Sequence, residues 1–248
     1  MKKTLTFIAA AAMLCACTKQ NGSLAEVGYG YIDLGLSTDN EVVTKAATTV
    51  GSLTGWTIKV GDKDYTGADQ KFAAGTYTLS ASNYADEAAA IASNSGWGDA
   101  FYSGSTANVT VTAGQTAEAT IACGKAQNAR LAVEFALGSD FTDYKVTVSK
   151  EGVSAGLVFN AGNASTAKAY FTAGKENIAY SISYTYKGVA KTPISKTVTL
   201  GGAATEKKIR VASNTNGTIT ITVTRDEVFT GGDNDEITID AATGEEAN

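Results

Sequence analysis

The stretch "NVTVTAGQTAEATIAC", residues 108–123, decides the fold class. On both sides of its glycine, small or apolar side chains alternate with threonine and glutamate. Alternation with a period of two residues is typical of a β-strand that buries one face. The Gly-containing turn at Ala113-Gly114-Gln115 predicts that the two strands pair as a β-hairpin.

The same alternation recurs along the chain. "GYIDLGLS" places Ile32, Leu34 and Leu36 on one face, and "GTITITVTR", residues 217–225, has the same pattern. The sequence has 26 glycines and one proline, which is compatible with many short strands joined by turns. One stretch differs: "ADEAAAIAS", residues 85–93, is alanine-rich with acidic residues at its start and predicts a short helix.

The second half of the chain resembles the first. The similar pairs, in the same order, are "WTIKVGDKDY" (56–65) with "YKVTVSKEGV" (144–153), "KFAAGTYTLSAS" (71–82) with "YFTAGKENIAYSISY" (170–184), and "VTVTAGQTAEATI" (109–121) with "KTVTLGGAATEKKI" (196–209). Chance similarity between threonine-rich strands is the alternative. Modules of about a hundred residues with short alternating strands and glycine turns are typical of β-sandwiches.

We therefore predict an all-β protein with two tandem immunoglobulin/transthyretin-like β-sandwich domains. The N-terminal sandwich spans 28–124 and the C-terminal sandwich spans 125–230. Residues 231–248 form an acidic tail in which "EITID" predicts one short strand.

The N-terminus resembles a bacterial lipoprotein signal. Lys2 and Lys3 precede a short apolar run, and Leu14-Cys15-Ala16-Cys17 resembles a lipobox in which Cys17 receives the lipid. Residues 1–16 are then the signal peptide and residues 17–27 a polar tether. The alternative is an ordinary secretory signal with incidental cysteines. The apolar run is too short to span a bilayer, so the prediction is an anchored outer-membrane lipoprotein of the cell envelope, with exposure at the surface as one option.

Several function classes are disfavoured by composition. The chain has no histidine, which removes catalytic triads, imidazole acid–base chemistry and His-bearing zinc sites. A net charge of −5 without a basic stripe disfavours nucleic acid. Cys123 lies on the apolar face of a predicted strand and is expected to be a buried, inert thiol. The acidic run 233–236 does not fit the calcium-loop pattern. We expect a protein without catalytic residues, metal or cofactor.

Two short segments are candidate functional sites. A glycine- and serine-rich loop carries Trp97, Phe101 and Tyr102, whose rings could stack on a glycan or could cap the first sandwich. After the first predicted strand, Lys45 followed by Ala46 offers a site for a trypsin-like protease in a polar stretch. The alternative there is an ordinary loop.

Several of these stretches also resemble a known family. The lipobox start resembles secreted lipoproteins of gut Bacteroidales, and so do "GYIDLGLSTDNEVVTKA", "AAGTYTLSAS", "DAFYSGSTANVTVTAGQTAEATIAC" and "LAVEF…FTDYKVTVS". Together they are similar to a Bacteroidales lipoprotein family known only as a domain of unknown function, over roughly residues 28–225. That family is similar in style to fimbrillins, two-sandwich lipoproteins that build pili.

The resemblance implies a mode of assembly. In fimbrillins a protease removes the first strand, and a strand of the next subunit fills the vacated groove. By position, the cut would fall at Lys45-Ala46, the released strand would be Gly28–Ser37, and "EITID" would be a candidate donor. Fimbrillins usually carry arginine at the cut, whereas this chain carries lysine. The partners predicted in this way are the outer membrane through the lipid anchor, copies of itself or related subunits, and, as an alternative function, glycans.

Overall fold

The structure, a computed structural model of the chain, describes residues 28–38, 48–49, 53–214, 218–226 and 235–240. Nearly all of the regular structure in these ranges is β-strand, as the sequence predicts. The predicted lipidation residue Cys17 and the predicted cleavage residues Lys45 and Ala46 lie outside the described residues.

The strands of the first half are short to medium in length. They are β1 (Tyr29–Thr38), β2 (Thr48–Thr49), β3 (Thr57–Val60), β4 (Lys63–Asp64), β5 (Phe72–Ala73), β6 (Gly75–Ser82), β7 (Ser103–Val111) and β8 (Thr116–Ala122). Between β6 and β7 lie the helix α1 (Glu87–Ala92) and a 3-10 turn (Asn94–Gly96). The helix falls where the alanine-rich stretch predicts it, and the Asp86 side chain caps it by accepting a 2.8 Å hydrogen bond from the Ala89 N–H.

The second half contains the remaining strands. They are β9 (Ala129–Ala136), β10 (Phe141–Lys150), β11 (Val153–Asn160), β12 (Ala169–Phe171), β13 (Ile178–Tyr186), β14 (Val189–Ala190), β15 (Ile194–Val198), β16 (Glu206–Ser213), β17 (Thr218–Asp226) and β18 (Asp235–Asp240). The last of these contains the predicted "EITID" strand.

The described strands form four sheets. The first half has a β4-β3-β6-β7 sheet and a sheet in which β1 is flanked by β2 and β5 on one side and by β8 on the other. The second half has a β11-β10-β13 sheet, extended by β14 and β15, and a β12-β9-β16-β17-β18 sheet. Each half therefore offers two sheets whose apolar faces can pack on each other, the arrangement of a β-sandwich.

The order of pairing repeats between the halves. The first strand of each half pairs in parallel with a late strand, β1 with β8 and β9 with β16. The same first strand pairs antiparallel with a short strand, β5 in one half and β12 in the other. This recurrence follows the order of the similar sequence segments. The division into domains at residues 124 and 125 stays a prediction.

The predicted hairpin at residues 108–123 is wrong in its pairing. The turn is present, with Gly114 at a φ of 71°, but β7 pairs with β6 whereas β8 pairs with β1. The turn therefore carries the chain from one sheet to the other. In place of a backbone ladder between β7 and β8, the Thr106 hydroxyl donates to the Thr120 carbonyl oxygen at 2.7 Å.

Buried apolar side chains of the described residues form two clusters. The first, which we call the N-core, consists of Ile32, Leu34, Leu36, Ile58, Val60, Phe72, Leu79, Ala81, Val111, Ile121 and Cys123. The second, the C-core, is larger and includes Leu131, Val133, Val146, Val148, Phe159, Ile182, Ile209, Val211, Ile219 and Ile221. Cys123 is fully buried, and burial raises the pKa of its thiol, as expected for an inert structural cysteine.

Candidate functional site

Strand β1 is paired along both edges. Seven consecutive residues, Tyr31 to Ser37, pair in parallel with β8. On the other edge β5 pairs with Tyr29 and Gly30, and β2 pairs with Ser37 and Thr38. Among the described strands, β8 has no other ladder partner than β1. Removal of β1 would therefore leave the backbone of β8 without a partner strand.

The side chains of β1 contribute directly to the N-core. Ile32 is fully buried, and Leu34 and Leu36 are 7% and 4% exposed. Burial of each such side chain stabilises the fold by about 1.5–3 kcal/mol. A groove that lost β1 would expose apolar surface from the facing sheet, so it would favour an incoming strand with the same alternation.

Hydrogen bonds outside the ladders hold the start and middle of β1. The Tyr29 carbonyl oxygen accepts from the Gly114 N–H at 2.7 Å, and the Tyr65 hydroxyl donates to the Ile32 carbonyl oxygen at 3.0 Å. Burial, together with the nearby Asp33 carboxylate, raises the pKa of Tyr65, so this hydroxyl remains a donor at neutral pH. A Cβ at Gly30 would collide with the carbonyl oxygens of Thr112 and Gln115, so this position requires glycine.

In sequence, Lys45 and Ala46 fall between β1 and β2. A cut between them would separate β1 covalently from every later strand of the chain. The remaining chain would keep β2, β5 and β8, the three strands that pair with β1 within the described ranges. Processing at this position stays a prediction.

The three aromatic residues of the loop, Trp97, Phe101 and Tyr102, do not all pack on the same core. Trp97 packs against the C-core, with its ring edge-to-face on Phe159 at a centroid distance of 4.9 Å. Phe101 is only 8% exposed, and Tyr102 packs against the N-core. Phe101 is therefore buried and Trp97 and Tyr102 are partly buried against the cores, and contact of these rings with a glycan stays a prediction. Trp97, however, caps the second core and not the first.

The segment that carries Trp97 joins the two halves. The Tyr170 N–H donates to the Trp97 carbonyl oxygen at 2.8 Å. The Lys150 ammonium group donates to the carbonyl oxygens of Ile91 and Tyr170, at 2.9 and 2.7 Å. It also lies 5.0 Å from the centroid of the Phe171 ring. Burial lowers the pKa of Lys150 to about 8.

Asn128 completes this junction. Its side chain is almost fully buried, accepts a 3.1 Å hydrogen bond from the Phe101 N–H and donates to the Asp99 carbonyl oxygen at 2.7 Å. Its own carbonyl oxygen accepts from the Ala204 N–H at 3.0 Å. Sequence reasoning missed Asn128 and Lys150, because neither residue lies in a recognisable motif and their partners are backbone groups.

Some charged side chains in the described part of the chain form ion pairs, such as Arg130 with Glu206 at 2.7 Å. In these ranges no group of three or more acidic, cysteine or histidine side chains has an arrangement that could hold a metal ion. The same ranges contain no helix of the length and hydropathy that crossing a membrane requires.

The fold and the paired first strand define an all-β protein built from stacked sheets. The chain belongs to the family described as "Domain of unknown function (DUF4493)", whose model matches residues 28–242. A solved structure from Bacteroides fragilis NCTC 9343, entitled a "putative cell adhesion protein", is similar to this chain at 14% identity and a TM-score of 0.42. The match covers 81% of this chain and 98% of the other. No curated protein matches the chain.

Proposed function

We propose that this protein is a non-enzymatic lipoprotein of the cell envelope that acts in adhesion, as a fimbrial-type subunit or anchor. Its subunits assemble by β-strand addition, in which a strand of one molecule completes a sheet of another. The observation that carries the proposal is the position of β1, which precedes Lys45-Ala46 in sequence and is the ladder partner of β8.

The assembly step follows from the pairing of β1. After a cut at Lys45-Ala46, β1 is held only by its hydrogen bonds and by Ile32, Leu34 and Leu36. When β1 leaves, the freed β8 edge offers main-chain donors and acceptors, and the N-core offers pockets for alternate side chains. An incoming strand with apolar residues at every second position restores both the hydrogen bonds to β8 and the apolar side chains of the N-core.

Membrane attachment is the second part of the proposal. The signal peptide of residues 1–16 is removed, Cys17 carries the lipid, and residues 17–27 separate the lipid from the sheets. The outer membrane is then the first partner, and copies of this chain or related subunits are the second. A cut after Lys45 would detach the strands from the lipid, so anchoring and assembly would be alternative states of one chain.

Limited proteolysis tests the proposal. Brief trypsin treatment of the full chain, followed by intact-mass analysis and size-exclusion chromatography, is expected to give a chain that starts at Ala46 and forms concentration-dependent oligomers. The Lys45→Gln variant should stay uncut at this position, and trypsin treatment should leave its oligomeric state unchanged, whereas Lys63→Gln, in an exposed short strand, should behave like the unsubstituted chain. A chain cut at Lys45 that remains strictly monomeric would contradict assembly by strand exchange.

A further inference from the structure

One edge of β9 is only partly paired. On one side β9 pairs with β16 from Arg130 to Ala136, but on the other side β12 covers only Ala129–Leu131. The Arg130 N–H donates to the Thr205 carbonyl oxygen, so in a parallel ladder the N–H and C=O groups of Val133 and Phe135 point away from β16. No strand among the described residues pairs with them there.

A groove runs along this open edge. It encloses a volume of about 380 Å³, within the range of ~300–1,000 Å³ that is typical of ligand pockets. One wall is β9 itself, and the opposite wall is the turn after β11, with Ala161, Ala164, Ser165 and Lys168. The groove continues the line of β12, so an extended segment placed in it would pair with the part of β9 that β12 leaves open.

In the first half, a strand of the same chain covers the corresponding part of the edge of β1. The β1–β8 ladder begins at Tyr31 and the β9–β16 ladder begins at Arg130, so β1 and β9 have corresponding positions in the two halves. In the first half the short strand β2 covers Ser37 and Thr38 near the end of the second edge of β1. In the second half no strand among the described residues covers the second edge of β9 after Leu131.

The two sides of the groove differ in chemistry. Towards the outer face, the Lys168 and Lys208 ammonium groups lie near its rim, 3.3 Å from Glu206 and 3.8 Å from Glu134 respectively. Towards the core, Phe135 packs on Tyr144 at a centroid distance of 4.9 Å. Successive side chains of an added strand alternate between these two sides. The groove therefore suits a strand in which acidic and apolar residues alternate.

We propose that this groove binds the segment Asp235–Asp240 of a second copy of the chain. Its sequence "DEITID" alternates isoleucine with acidic residues and threonine, which complements Phe135 and Tyr144 on one side and the two lysines on the other. The segment forms β18, which lies at the opposite end of the sheet that contains β9 and pairs there along one edge only in the described chain.

Contact between opposite ends of one sheet is a head-to-tail interface. Such an interface propagates from copy to copy and generates open chains unless it closes into a ring. This inference rests on the proposed assembly by strand addition and names a further acceptor strand and its donor. Because β1 is still in place before cleavage, the β9 groove is the acceptor that an uncut chain can use.

Peptide binding to the uncut full chain tests the inference. The probe is a fluorescent peptide with the sequence of residues 234–242, "NDEITIDAA", titrated with protein while its anisotropy is recorded. We expect saturable binding that weakens by about tenfold or more when the peptide carries Lys in place of Glu236 and Asp240. Changes in the peptide cannot unfold the protein. Equal binding of both peptides, or no binding to the uncut chain, overturns the inference.

A protein variant locates the site. Lys168→Gln with Lys208→Gln should weaken binding severalfold, whereas Lys59→Gln with Lys63→Gln, an equal charge change in the first half, should leave it unchanged. In the unsubstituted chain, carbodiimide cross-linking of mixed ¹⁵N-labelled and unlabelled copies should join Lys168 or Lys208 to the acidic residues of 235–240 of the other isotope. Binding that requires prior cleavage at Lys45 would overturn the β9 groove and leave the proposed exchange of β1 intact. If the peptide binds the uncut chain but the cleaved chain forms no oligomers, the β9 groove stands and the proposed exchange of β1 is overturned.

Discussion

Trp97 and Phe159 meet edge to face, with ring centroids 4.9 Å apart and planes inclined by 82°. Trp97 lies in the loop after α1, whereas Phe159 is a fully buried member of the C-core. The contact therefore joins a loop of the first half to the core of the second. Gly96 supports it, because a Cβ there would collide with the Val153 side chain. The loop is thus fitted closely to its neighbour.

Trp97→Ala should destabilise the protein by about 2–4 kcal/mol. The substitution removes the ring–ring contact and part of the apolar burial, and it leaves a cavity against Phe159. Equilibrium unfolding in urea measures the change. Val189→Ala, at a position 57% exposed, is the control and should change stability by less than about 0.5 kcal/mol. If Trp97→Ala and Val189→Ala are equally stable, the fold does not depend on the contact between Trp97 and Phe159.

Asn128→Ala should cost about 2–4 kcal/mol of stability. It leaves the Phe101 N–H and the Asp99 carbonyl oxygen without their side-chain partner in a buried place. The neighbouring Gln127→Ala removes exposed hydrogen bonds to Ser103 and should cost much less. Thermal unfolding of both variants provides the comparison. Similar losses for the two would contradict the assignment of Asn128 as the polar centre of the junction.

Lys150 should make stability depend on pH in the alkaline range. Its pKa is about 8 in the folded chain, below the ordinary lysine value of 10.5, so between these values the unfolded chain binds more protons. Stability from this group therefore rises as pH increases from about 8 towards 10.5, and it is constant below that window. The difference between the unfolding free energies of the unsubstituted chain and Lys150→Met, followed against pH, isolates the effect. Parallel curves for the two proteins would refute it.

Gly30→Ala should loosen β1. The added methyl group collides with carbonyl oxygens at the turn before β8, which costs about 1–3 kcal/mol. Hydrogen exchange of the β1 amides should quicken. The control is Gly75→Ala. The added Cβ would lie 3.9 Å from its nearest neighbour, in Tyr77, so this variant should leave hydrogen exchange of the β1 amides unchanged. If the β1 amides exchange as slowly in Gly30→Ala as in the unsubstituted chain, close packing at this turn does not hold the strand.

Local patterns predicted the strands well but not their partners. Alternation at Ile32, Leu34 and Leu36 identifies β1 and its buried face, because side chains of a strand point alternately to opposite faces. Alternation carries no information about which strand pairs with which edge. The pairing of β1 with β8 joins residues more than 80 positions apart, and it replaced the local hairpin that the turn at Gly114 suggested.

The junction between the halves could not be predicted for a related reason. Trp97 is a large aromatic residue in a glycine-rich loop, which is compatible with a ligand surface and with packing alike. Its neighbour Phe159 is 62 positions away in sequence, so only the folded chain decides between these roles. Asn128 and Lys150 bind backbone carbonyl and amide groups, which leave no trace in the sequence.

The most direct test of the account is the N-terminal identity of the protein isolated from its native cells, measured by mass spectrometry on membrane-bound and assembled fractions. The account predicts an acylated Cys17 at the start of the membrane-bound form and Ala46 at the start of the assembled form. Assembled chains that all retain residues 17–45, or a single unmodified start elsewhere, would contradict it.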